Sequence, residues 1–238
     1  MAAGLSDLLT PYGQSSLARL GGSRSPLIDE DHRFATLDGW LKPSWARRRL
    51  TSLDAGFTGC LGRVNRPIPA STISSMRKNY SEQLPKTMSV DSVVLDRPRS
   101  KAWRTACSLG IVDLLDSAAL RGLAESATGL ALNEMPGMQV LRYSPGDYTG
   151  PHNDHHPEWA DTRDGFVDVH LSVSSGVAHQ WLVYEHKGHF TETVSLVTSP
   201  MLSVYRLPFW HFTTPLVPRA RCRGSARRWV LMASYTIA

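Results

Sequence analysis

His152 and Asp154 stand two residues apart at the end of the run Tyr143-Ser-Pro-Gly-Asp-Tyr-Thr-Gly-Pro151. In an extended backbone, residues i and i+2 point to one face, so an imidazole and a carboxylate converge while Asn153 turns away. That pair is two thirds of a 2-His-1-carboxylate set, which grips Fe(II) on one face and leaves the opposite positions open. A third donor must come from elsewhere in the chain.

Every other histidine except His32 lies after this pair, and none lies beyond His211. His155 and His156 follow the turn closely, but the Glu that a His-Glu-x-x-His zinc site uses as general base is replaced by Asn153. His186 and His189 flank Gly188 at what reads as a hairpin tip, where side chains are usually solvated. His170 sits inside an alternating strand and reads as a hydrogen-bonded or cup-lining residue. His211 follows a hydrophobic strand and a Pro208-Phe-Trp turn, and it is the preferred third ligand.

The elements that must position these side chains change character along the chain. Ala102–Cys107, Ile111–Leu115 and Leu120–Ala127 space apolar residues three and four apart, as helices do, with Ser117 as an N-cap and Gly129 as a stop. Pro43 with Trp45–Arg49 starts a short helix. Residues 50–95 are rich in Gly, Pro and Ser, with one strand-like run at Ser89–Leu95. After Gly137 come short strands rich in β-branched and aromatic residues: Gln139–Tyr143, Val167–Ser174, Gln180–Glu185, Thr191–Leu196, Met201–Arg206 and Trp229–Thr236. The economical arrangement is mostly β with flanking helices (α+β), around a jelly-roll core whose two sheets form a cup with a metal at its mouth. On the last strand Arg228, Val230, Met232 and Ser234 share one face, and Trp229, Leu231 and Ala233 the other.

The chain has 238 residues, 42% hydrophobic and 20% charged, an ordinary globular composition with enough length for a sizeable core. Residues 1–99 read as an extension that covers the core and shapes the substrate pocket, and residues 100–238 as the helices plus the jelly roll. Three widely spaced cysteines suit a reducing, cytoplasmic setting better than a disulfide framework. No apolar run reaches the roughly 18 residues of a membrane span. The net charge of +5 is local, as in Arg47-Arg48-Arg49 and Arg219 to Arg228, and no nucleic-acid motif accompanies it.

Taken in order, Arg142-Tyr-Ser-Pro-Gly-Asp-Tyr148, His152-x-Asp154, His211 and the Arg228-Trp-Val-Leu strand resemble the Fe(II)/2-oxoglutarate-dependent oxygenases, in particular the prolyl-4-hydroxylase-like branch. The resemblance implies a double-stranded β-helix, iron held by His152, Asp154 and His211, and 2-oxoglutarate held by Arg228 and Tyr143, with O₂ as cosubstrate. It implies a dioxygenase that oxidises an unactivated C–H bond while 2-oxoglutarate becomes succinate and CO₂. The sequence departs from the family where Ala178-His179-Gln180 replaces a Gly-Gly pair and where Pro200 replaces a Gly. Arg221 lies closer to His211 than Arg228 does, but only Arg228 opens a strand.

The resembling family also places the residues after the metal turn beside the substrate, here His155, His156, Trp159 and Arg163. A small metabolite, an amino acid or natural-product intermediate, is the first substrate choice, and a prolyl or other residue of a protein the second. Two other readings stay open: a basic, non-catalytic β-barrel that binds polyanions, and a cupin-like metalloenzyme without 2-oxoglutarate. The sequence gives no signal for oligomeric state.

Overall fold

A computed structural model describes residues 5–22, 25–67, 87–154 and 165–238 of the chain. Its helices are α1 (Leu5–Leu8), α2 (Pro11–Gly21), α3 (Pro43–Gly56), α4 (Lys101–Ser108), α5 (Ile111–Leu115) and α6 (Ala118–Thr128). The first strands are β1 (Phe34–Thr36), β2 (Gly62–Pro67), β3 (Thr87–Val94), β4 (Gly137–Tyr143) and β5 (Tyr148–His152). Then follow β6 (Phe166–Ser175), β7 (Val177–His179), β8 (Trp181–His186) and β9 (His189–Ser195). The chain closes with β10 (Met201–Leu207), β11 (His211–Thr213), β12 (Val217–Pro218) and β13 (Arg227–Thr236).

Local chemistry fixes the helix ends. The hydroxyls of Ser100 and Ser117 accept from the amides of Trp103 and Leu120, satisfying first-turn N–H groups that have no partner in the helix. Gly129, at φ 69°, closes α6 in the left-handed conformation that only glycine adopts without strain. Helix α3 runs further than the sequence suggests. Thr51, Ser52 and Gly56 are indifferent helix formers, but Trp45, Ala46 and Leu53 are buried along it, and packing outweighs propensity.

The strands form one antiparallel path, β1-β10-β6-β13-β4-β3-β5-β11-β8-β9, with β2 joined to β3. Strand β3 is the corner: Asp91 to Val94 pair with β4, while Met88 and Ser89 pair with β5. The path therefore folds over, setting the β10-β6-β13-β4 half against the β5-β11-β8-β9 half. Strands β1, β2 and β3, all from the first hundred residues, are hydrogen-bonded into this sheet.

Strand alternation separates two environments. Val167, Val169, Leu171 and Val173 of β6 and Trp229, Leu231, Ala233 and Tyr235 of β13 are buried in the main core with the leucines of α5 and α6. Their neighbours Asp168, His170 and Ser172, and Arg228 and Val230, lie on the opposite face, inside the cup. Apolar clusters around Tyr205 and Phe209, and around Tyr143 and Val230, line that interior. The architecture is mostly antiparallel β, a curled double-stranded β-helix with helices packed on one outer face.

Candidate metal and cosubstrate site

Strand β5 ends at His152, and His211 of β11 is its direct partner in the ladder. The two rings face each other with centroids 4.2 Å apart. Asp154 completes the group: its Oδ2 lies 3.4 Å from His152 Nε2 and 3.6 Å from His211 Nε2. One ligand atom from each residue falls within 4.8 Å of the others, a spacing a single ion can bridge. The carboxylate arrives differently from the sequence argument. The backbone is no longer extended at Asp154, whose φ of 54° is left-handed, a conformation short polar side chains such as Asp tolerate. That turn, and not strand alternation, aims the carboxylate at the two imidazoles, and Asn153 is buried beside it.

Both imidazoles are held in one tautomer. Nδ1 of His152 is 2.7 Å from the Gly150 carbonyl, and Nδ1 of His211 is 2.9 Å from that of Phe209. A carbonyl only accepts, so each Nδ1 carries the proton and each Nε2 presents its lone pair to the centre. Burial drives the His211 pKa down to about 3, with the neighbouring His152 charge acting in the same direction. At His152 burial also disfavours the charged form, but the Asp154 carboxylate and the Gly150 carbonyl outweigh it and the pKa is raised.

The turn that delivers β5 is clamped by Asp147. Its carboxylate accepts from the Ser144 amide (2.8 Å) and from both terminal nitrogens of Arg63 on β2 (2.9 and 2.5 Å). Gly146, at φ 86°, lets the chain reverse there and donates to the Leu216 carbonyl. The Pro-Gly-Asp text is thus the structural footing of the histidine that follows.

Arg228, second residue of β13, lies inside the cup opposite Tyr143 of β4 and is only 4% exposed. Its guanidinium carbon lies 4.4 Å from the centre of the Tyr143 ring, and its Nε donates to Gln180 Oε1 at 2.8 Å. Among the described residues no carboxylate lies within 4.0 Å of it. Burial pulls its pKa down, against the attraction of Tyr143 and Tyr205, but a guanidinium stays charged. Arg221 instead sits exposed in a short 3-10 turn. The Tyr143 hydroxyl is 3.1 Å from Thr149 Oγ1.

Gln180 was not singled out from the sequence. It is fully buried, its Nε2 donates to the Asp147 and Thr214 carbonyls, and its Oε1 orients Arg228. The available signal was the departure itself, a glutamine where the resembling family has a small residue. His170 lies in the cup, its ring tilted against that of Tyr205 with centroids 4.3 Å apart. His186 and His189 do flank a hairpin turn, with Lys187 and Gly188 both at positive φ. The substrate-side residues His155, His156, Trp159 and Arg163 lie outside the described residues. What is described near the metal turn is a cavity of about 620 Å³ reaching Asn153, Tyr184 and Phe209, walled in part by Glu30 to Phe34.

No sequence-family model matches the chain, and no curated protein matches it. Solved structures do. An oxidoreductase of the 2OG-Fe(II) oxygenase family from Burkholderia pseudomallei matches at TM-score 0.54 and 12% identity, over 92% of this chain and 90% of that one. A Pseudomonas putida prolyl-4-hydroxylase matches at 0.53 and 14%, over 92% and 98%. A non-heme alpha-ketoglutarate-dependent epimerase from nogalamycin biosynthesis matches at 0.53 and 14%, over 94% and 83%. With strand order, ladder partners and these neighbours in agreement, the chain carries the double-stranded β-helix fold of the 2-oxoglutarate-dependent oxygenases.

Proposed function

We propose that this chain is an Fe(II)- and 2-oxoglutarate-dependent oxygenase that hydroxylates an unactivated C–H bond of a small metabolite. The observation that carries the reading is the convergence of His152, Asp154 and His211 at one point, with a guanidinium buried in the same cup that has no carboxylate partner among the described residues. The donor set fits the metal: two imidazole nitrogens in fixed tautomers and one carboxylate, the mixture that suits ferrous iron. Arg228 suits the distal carboxylate of 2-oxoglutarate, because a buried planar fork recognises a carboxylate in two-point fashion. Tyr143 supports that guanidinium from below, and Gln180 fixes its rotation.

When bound, iron with 2-oxoglutarate and O₂ supplies the oxidising power, with succinate and CO₂ as coproducts. The chain's own contribution is geometric and electrostatic. The Gly150 and Phe209 carbonyls hold the two ligand rings, and the Asp147–Arg63 clamp holds the turn that carries one of them. The apolar walls around Tyr205 and Val230 keep water from the reacting atoms. Residues 30–34 border the mouth, which supports a role for the first hundred residues in shaping the substrate pocket. His155, His156, Trp159 and Arg163 are proposed to line the remaining side.

Thermal unfolding with Mn(II), then with Mn(II) plus 2-oxoglutarate, tests this directly. Each ligand should add stability, about 2.7 kcal/mol when present at a hundred times its Kd. Asp154→Ala should lose the metal increment, and Arg228→Ala should keep it while losing the 2-oxoglutarate increment. An Asp154→Ala protein that still gained stability from Mn(II) would refute the proposal. Metal stabilisation with no 2-oxoglutarate increment in the unmodified protein, or an increment that Arg228→Ala leaves intact, would leave a metal site of the cupin kind instead.

A further inference from the structure

The inner face of the cup carries a second polar group, apart from the metal ligands and Arg228. Asp168 and His170 lie two apart on β6, on the face opposite the core valines, with Asp168 Oδ2 and His170 Nε2 3.6 Å apart. That separation is too long for a hydrogen bond. Asp168 Oδ1 and His170 Nε2 are both buried without any hydrogen-bond partner. Buried polar atoms are nearly always paired, so two adjacent exceptions on one interior wall call for a ligand. Asp168 is 5% exposed, and among the described residues no Lys or Arg lies within 4.0 Å of it.

The wall around this pair is less tightly covered than the far side of the same strands. Asp168 sits between Tyr205 and Ser234 in the sheet, and His170 between Ser203 and Met232. His170, Met232 and Ser234 are only half-buried, although the alternate residues on the other face of the same strands are almost completely covered. This wall adjoins the metal group through ring contacts: the His170 ring lies tilted against Tyr205, whose ring centre is 6.0 Å from that of His211. The nearby cavity that reaches Asn153 is also acidic, with Glu30, Asp31, Glu185 and Glu192 against Arg33 and Lys187. In a chain of net charge +5, that local excess favours the approach of a cation.

We propose that Asp168, assisted by His170, is the substrate-recognition group of this cup, and that the substrate is a small metabolite bearing a protonated amine. The ammonium donates to the Asp168 carboxylate, and its charge offsets a buried anion that has no Lys or Arg beside it among the described residues. His170 Nε2 takes up a second polar contact from the same ligand. The proposal rests on the oxygenase reading above and narrows it from small metabolites to amines.

The test uses full-length protein with Mn(II) and 2-oxoglutarate, and thermal unfolding as the readout. The probes are the free L-amino acids and simple diamines, each beside its fully N-acetylated counterpart. At least one amine should raise the midpoint further where its acetylated form does not. Asp168→Asn should keep the Mn(II) and 2-oxoglutarate increments, which serve as its folding control, and weaken the amine roughly thirtyfold or more. The proposal is overturned if no amine outperforms its acetylated counterpart in the unmodified protein, a comparison that needs no variant. It is also overturned if Asp168→Asn binds the amine as before. Failure of Mn(II) and 2-oxoglutarate to stabilise the unmodified protein would instead reject the oxygenase reading, and the amine proposal with it.

Discussion

At the scale of single residues, the site is tuned by groups that never face the metal. Gln180 reaches Arg228 from a buried position, and removing it frees the guanidinium to rotate. Gln180→Ala should weaken 2-oxoglutarate about tenfold, roughly 1.4 kcal/mol, with Mn(II) affinity unchanged, as read by calorimetric titration. The two candidate ligand imidazoles differ in how they meet protons. His211, held near 3 by burial, stays neutral across the ordinary range, whereas His152 is raised by Asp154 and is the histidine that protons contest. Metal affinity should therefore begin to fall while pH is still above the ordinary histidine value and keep falling as pH drops through it, measured by Mn(II) titration at a series of pH values. For the metal-free fold the signs oppose each other. His211, with its folded pKa below the unfolded value near 6.5, stabilises above that value and loses this contribution as pH falls from about 6.5 toward 3. His152, with its folded pKa raised, stabilises at low pH and loses that contribution as pH rises through the folded value.

At the scale of elements, the Pro-Gly-Asp turn is the piece on which the ligands depend. Asp147 is 2% exposed and answers an amide and an arginine at once. Asp147→Ala leaves the Ser144 amide without its acceptor and Arg63 with only Asp91 and Ser89, and should cost about 2 to 3 kcal/mol in chemical denaturation, with a parallel loss of metal affinity. This turn, the caps at Ser117 and Gly129, and the two faces of β13 were all legible in the sequence, because each rests on a local residue type. The approach of Asp154 was not, since a left-handed residue after a strand end has no periodic signature. Strand β2 was equally hidden. Gly62-Arg-Val-Asn-Arg-Pro67 has little strand character, and its pairing with β3 and the reach of Arg63 to Asp147 and Asp91 are tertiary facts. Gln180 escaped for the same reason, as its role exists only once β13 lies across the cup.

At the scale of the whole molecule, the helices and the chemistry occupy opposite faces of one sheet. Trp229 packs toward the helices while its neighbour Arg228 enters the cup. Leu115 and Leu120, fully buried on the helical side, can be truncated as a test of that separation. Leu120→Ala should cost about 2 to 5 kcal/mol of stability and leave Mn(II) affinity within a few-fold, by denaturation and titration on the same protein. The fold class was readable from short β-rich segments, and the described residues hold no helix long and apolar enough to cross a membrane.

Strand β1 is three residues long, yet it zips along β10 while the segment just before it walls the cavity at the metal turn. One stretch of chain thus covers a backbone margin that would otherwise recruit other strands, and also lines the cavity at the metal turn. Selection for a new substrate cannot freely rewrite that stretch without courting aggregation, so diversification among relatives of this chain should concentrate in the β8–β9 hairpin facing it.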